Sequence, residues 1–91
     1  MSILERAREV IGDKELVDRA IEEMAELTVA ISHFRRGRCD ESAVREEIAD
    51  VMIAMRQIEL IFGEFETEKI REAKIRRFKE EVDKRAKAMR K

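Results

Sequence analysis

Two pairs of acidic side chains, Glu23-x-x-Glu26 and Glu47-x-x-Asp50, are the residues of this chain best placed to do chemistry. Each pair sits inside an apolar pattern of helical period, and residues three apart on a helix are neighbours on one face. Each pair therefore offers adjacent carboxylate oxygens. Like charges so close repel, and sheltering even one from water is costly unless something cationic offsets it. A hard divalent metal with oxygen ligands answers that requirement. The competing reading makes the four acids flanking charges, held in salt bridges by Arg19, Arg45 or Arg56. Asp50 argues against it. Asp50 is surrounded by Ala49, Val51, Met52 and Ile53, and Asp is a poor helix former with no cap to serve mid-helix.

The elements that must position these acids are helices. The 91 residues bound the chain to a single domain, 1–91, with 45% charged and 44% hydrophobic residues, no Pro, Trp or Tyr, and three Gly. That composition reads as all-α. The spacing predicts a short first helix over about Ser2 to Ile11, broken by Gly12, with Asp13 as N-cap of the next. A second helix is expected over about Lys14 to Arg36, with the stripe Leu16, Ala20, Met24, Leu27, Ile31 and Phe34. Gly37 ends it after the basic turn Arg35-Arg36. The third should start after Asp40 or Ser42 and run to about Phe62, on the stripe Val44, Ile48, Val51, Met55, Ile58 and Phe62. Met52, Ile53, Ala54, Leu60 and Ile61 make it apolar nearly all round, hence buried nearly all round. A chain this short has little core of its own with which to cover such a helix, so the expected fold is an antiparallel helical bundle completed by homo-oligomerisation. A fourth helix is expected from Glu66 or Thr67 toward Met89.

On a helical wheel all four acids fall at the borders of the apolar stripes. The short Gly37–Glu41 loop should make the second and third helices antiparallel. Glu23 and Glu47 stand at similar distances from it, so the four carboxylates should converge. Glu22 and Glu46 point elsewhere and read either as ordinary surface acids or as groups standing behind the site. Charge is also sorted along the chain. Residues 1–67 hold 9 Lys+Arg against 16 Asp+Glu, whereas residues 68–91 hold 11 against 5. The fourth helix is thus a basic element that could face phosphate, with Lys74 and Arg77 foremost and Lys69, Arg71 and Arg76 behind them. The lone His33 cannot build a zinc site, and Cys39 has no second Cys to pair with. Both read as surface or loop residues. Phe34 and Phe62 have core spacing and read as packing rather than base stacking.

The arrangement Glu22-Glu23-x-x-Glu26-Leu27, then Glu46-Glu47-x-x-Asp50-Val51, resembles the MazG-like all-α nucleoside triphosphate pyrophosphohydrolases, whose signature is E-x-x-E followed by E-x-x-D. Lys74-x-x-Arg77 is similar to the basic pair that follows in that family, though Glu72 stands where members often carry Asn. The resemblance implies a homodimer or dimer of dimers and magnesium, with manganese able to replace it, held by Glu23, Glu26, Glu47 and Asp50. It also implies hydrolysis of (d)NTP to (d)NMP and pyrophosphate, with Glu23 or Glu26 positioning or deprotonating the attacking water and Lys74 and Arg77 on the phosphates. Two alternatives stand beside it. One is the related phosphoribosyl-ATP pyrophosphohydrolase of histidine synthesis, whose aromatic and His residues are missing around Asp50-Val51-Met52-Ile53. The other is a non-enzymatic, antitoxin-like helical interaction module. Nucleic-acid binding is disfavoured by the acidic first two thirds and the lack of Tyr and Trp. No apolar run reaches the roughly 18 residues that span a bilayer, Met1 to Val10 lacks a signal-peptide core, and a lone Cys suits a reducing cytoplasm. A cytoplasmic protein is therefore expected.

Overall fold

Gly12, Gly37 and Gly63 divide the chain into the helices α1 (Ile3–Val10), α2 (Asp13–Arg35), α3 (Glu41–Phe62) and α4 (Glu64–Met89). The computed structural model describes residues 1–90, and among them there is no strand and no helix long and apolar enough to cross a membrane. The all-α expectation holds.

Local chemistry fixes most boundaries. The Ser2 hydroxyl accepts from the Glu5 N–H at 3.1 Å and starts α1. Asp40 caps α3, its Oδ1 accepting from the N–H groups of Ser42 at 3.0 Å and Ala43 at 3.2 Å, which satisfies two of the donors a helix start leaves open. At the end of α2, Gly37 takes φ +71°. The Arg38 N–H then turns back to the His33 carbonyl at 2.8 Å and the Gly37 N–H to that of Phe34 at 3.0 Å, closing the helix.

Two expectations fail at helix starts. Asp13 is not an N-cap but the first residue of α2, and Gly12 precedes it. Its carboxylate is committed to Arg8, which donates from Nε to Oδ1 and from Nη2 to Oδ2, both at 2.9 Å. Arg8 Nη1 also donates to the Leu60 carbonyl at 3.2 Å, tying α1 to the last turn of α3. The second miss is α4, which starts at Glu64 because Gly63 alone makes the turn from α3.

The main interface joins α2 and α3, while α1 and α4 each pack more lightly on α3. The pair is antiparallel. Near the connecting loop Ala30 and Ala43 share one cleft wall, and at the far end Leu16 and Gln57 share another. Among the described residues of the single chain, the buried apolar ones are Leu16 and Ala20. The single chain does not cover α3, whose burial is expected only in the homo-oligomer. Met52, Ile53, Met55 and Phe62 are exposed, and the one buried residue of α3 is Gln57.

Candidate metal centre

The α2–α3 register brings Glu23, Glu26 and Glu47 together. One carboxylate oxygen from each lies within 4.8 Å of the others. Glu23 and Glu26 are one turn apart on α2, and Glu47 meets them from α3. Glu23 and Glu47 are partly buried and Glu26 is exposed. Asp50 is the exception among the four. It stays outside this trio, exposed on α3, although it shares a cleft wall with Glu23.

The electrostatics of the trio are unfavourable as it stands. Burial, then the charges of Glu26, Asp50 and Glu47, push the Glu23 carboxyl above its ordinary range. Burial, then Glu26 and Asp50, push Glu47 the same way. Glu23 Oε2 and Glu47 Oε2 are shielded from solvent with no hydrogen-bond donor. The three arginines that could have neutralised the acids are engaged elsewhere. Arg19 pairs with Glu15, Arg45 with Glu41, and Arg56 with Glu59 and Glu64. The salt-bridge alternative is therefore not realised.

Sheltered, donorless carboxylate oxygens from two helices make a donor set suited to a hard divalent cation, which takes oxygen ligands. The residues present fit magnesium or manganese. Glu23, Glu26 and Glu47 form the converged part of the set, with Asp50 at its margin.

Clefts flank the cluster on both sides. One, of about 420 Å³, is lined by Glu26 and Glu47 with Ala30, His33, Cys39 and Ala43. The Cys39 thiol there donates to the Ala30 carbonyl at 3.5 Å. The other, of about 230 Å³, runs from Glu23 and Asp50 past Ile53 and Ala54 to Gln57. Lys74 and Arg77 are exposed on α4 and line neither cleft, so one chain does not bring its basic pair to its acids. Among the lesser cations, Arg71 pairs with Glu68, and Lys69 lies over the Phe65 ring at 4.5 Å. Phe34 and Phe62, expected to pack, are exposed within the single chain.

Gln57 is the residue the sequence reading missed. A signal was present, because Gln57 lies in apolar helix α3 between Arg56 and Ile58, one turn on from Ile53 and Ala54. Compared with models of protein families, with curated proteins and with solved structures, the chain matches none.

Proposed function

We propose that this protein is a magnesium-dependent nucleotide pyrophosphohydrolase, cleaving (d)NTP to (d)NMP and pyrophosphate as a homodimer or dimer of dimers. The observation that carries this reading is the meeting of three carboxylates from two helices with two sheltered, donorless oxygens among them. The MazG-like pattern of the acids supports it, as do the open clefts on both sides, where an extended anionic substrate can lie across the cluster.

Glu23, Glu26 and Glu47 would hold the cation, with Asp50 available at the edge. When bound, the metal supplies charge neutralisation for the phosphate oxygens. Glu23 and Glu47 keep their carboxylates aimed at one point because their helices are packed there, which pre-pays orientation. Glu26, the exposed member of the trio, is the acid best placed to meet bulk water, and it orients the attacking water or takes its proton. Phosphoryl chemistry asks for positioning and charge more than for covalent help, so a short helical chain can suffice. Lys74 and Arg77 serve the phosphates only if a second copy supplies them, since within one chain they stand apart from both clefts.

The interaction-module reading draws on one observation, the many large apolar side chains exposed on α3 and α4. One experiment separates the two. Magnesium at about a hundred-fold excess over its Kd should raise the Tm by roughly 10–20 °C, since a ligand that binds only the native state stabilises it. The protein should then release pyrophosphate from at least one member of a nucleotide panel that includes phosphoribosyl-ATP. Glu47→Gln should abolish both effects while keeping the helical circular-dichroism spectrum. A Tm indifferent to magnesium, with no pyrophosphate released, would leave the interaction module standing.

A further inference from the structure

The smaller cleft is bounded on one side by α1, through Ala7 and Ile11, and on the other by Leu16 of α2 and Ile53 and Ala54 of α3. Two oxygens of its lining residues, Gln57 Oε1 and Glu23 Oε2, are shielded from solvent and have no hydrogen-bond donor. A bare acceptor costs stability, and the cost goes when water reaches it. The element that closes this cleft is the one least firmly held. Helix α1 has eight residues, none of them buried, and a helix so short has little stability of its own. Among the described residues, its side-chain hydrogen bonds to the rest of the chain all come from Arg8, which holds Asp13 and the Leu60 carbonyl. The Arg8 and Asp13 side chains are 38% and 46% exposed, and ion pairs in that setting contribute little. The chain passes from α1 to α2 through Ile11 and Gly12. Gly12 has φ +97° and open space where a Cβ would be, and no side chain caps α2 there.

We infer that α1 is a hinged lid, pivoting at Gly12 and latched by Arg8, and that a divalent cation in the acidic cluster draws it shut. The argument is a balance of hydration. With α1 down, the oxygens of Gln57 and Glu23 are dry and unpartnered. With α1 lifted, water partners both, at the loss of the Arg8 latch and of the apolar cover from Ala7 and Ile11. The closed state thus carries a cost that the open state lacks, and α1 falls among the elements that open locally before the whole fold does. A cation on Glu23 gives that oxygen its partner while the lid is down. One of the two reasons to open then disappears, and the closed state gains. By linkage, a latch that holds the lid down favours the cation in return. The inference rests on the metal reading above and adds to it a moving element outside the cluster. Closure covers one of the two clefts that flank the acids and leaves the larger one open.

The test is amide hydrogen exchange of the full chain, read by mass spectrometry with and without manganese, with manganese binding followed separately by electron paramagnetic resonance. The amides of Ala7 to Ile11 should exchange at least about ten-fold faster than those at the centres of α2 and α3, through an opening that spares both helices. Saturating manganese should slow them several-fold. Arg8→Gln should speed them about ten-fold, because it removes hydrogen bonds from a charged donor, and should weaken manganese binding. Gln57→Leu should slow them, because it removes a bare acceptor that opening would hydrate. Gln57→Met, closer in shape, gives the same readout should the leucine variant fold poorly. Simple fraying of α1 would be blind both to manganese and to the Gln57 substitutions, and that result overturns the inference. So does exchange of α1 in step with α2 and α3, which would mean that it opens only when the whole protein unfolds. Manganese that binds yet leaves α1 unprotected overturns the inference and spares the metal reading. If no manganese binds, the metal reading itself fails and this inference falls with it.

Discussion

Glu23 and Glu47 carry the central tension of this molecule. Helix packing shelters their oxygens, and three like charges share a space of a few ångströms. Each carboxyl is pushed upward first by burial and then by its acidic neighbours, so the free protein tolerates the cluster rather than being stabilised by it. Asp40 is the opposite case. Hydrogen bonds from the Ser42 hydroxyl and from the Ala43 N–H hold its carboxyl below the usual 3.8. A carboxyl depressed in the folded state stabilises fully above its unfolded value and loses that contribution as pH falls through its folded one. Asp40→Ala should therefore lower the Tm by about 5 °C at pH 7, and the gap from wild type should close on acidification below 3.8. Thermal melts of the two proteins from pH 7 to pH 2 test this, and a gap that stays constant to pH 2 would remove the cap as its cause. Much of this scale could be read in advance. The E-x-x-E and E-x-x-D spacings and the short loop are enough to bring Glu23, Glu26 and Glu47 together. The displacement of Asp50 is not, because it turns on the azimuth of α3 against α2, finer than any residue spacing encodes. Gln57 could have been found by the argument applied to Asp50, a polar residue inside an apolar helix.

At the scale of elements, glycines mark the breaks, and side-chain competition decides one boundary. All three breaks fall at the glycines. Asp13 has the right type for an N-cap, but the bidentate guanidinium of Arg8 claims its carboxylate, a contact between helices that local pattern does not contain. The sequence sets the start of α4 too late because Glu64 and Phe65 carry no cap signal, whereas Gly63 closes α3 and opens α4 by itself. Gly63 does so at φ +113°, and a Cβ there would come within 2.5 Å of the Glu66 carboxylate. The Glu66 side chain is flexible and can swing away, but the backbone strain remains. Gly63→Ala should cost about 1–3 kcal/mol, read as a lower urea midpoint with an unchanged slope. An unchanged midpoint would mean that the α3–α4 junction relaxes freely, and that α4 has no fixed direction relative to α3.

At the scale of the whole molecule, one chain leaves much of its apolar surface uncovered. Its radius of gyration is 17.2 Å and its extents are 57 × 38 × 18 Å, whereas a compact chain of this length has a radius of roughly 12 Å. Helix α4 lies mostly free, with Ile70, Ile75, Phe78 and Val82 exposed, and Met52, Ile53 and Phe62 of α3 are bare as well. Contiguous apolar surface beyond a few hundred Å² marks an interaction site in soluble proteins, and a lone helix gains most of its stability from packing. The proposed homo-oligomer resolves both problems. A second copy laid on α3 and α4 covers those side chains, and the same step can carry the basic face of α4, with Lys74 and Arg77, toward acids that one chain leaves unanswered. Sedimentation velocity at micromolar concentration should then give a dimer or tetramer, and the Tm should rise with protein concentration. Phe78→Glu combined with Val82→Glu should yield monomer, speed amide exchange along α4, and remove pyrophosphate release even though every acid of the cluster is intact. A wild-type monomer whose α4 amides exchange slowly would refute the homo-oligomer and require another element to shelter that helix. A monomeric double variant that keeps full activity would separate catalysis from assembly, and would place the phosphate-binding cations within the single chain.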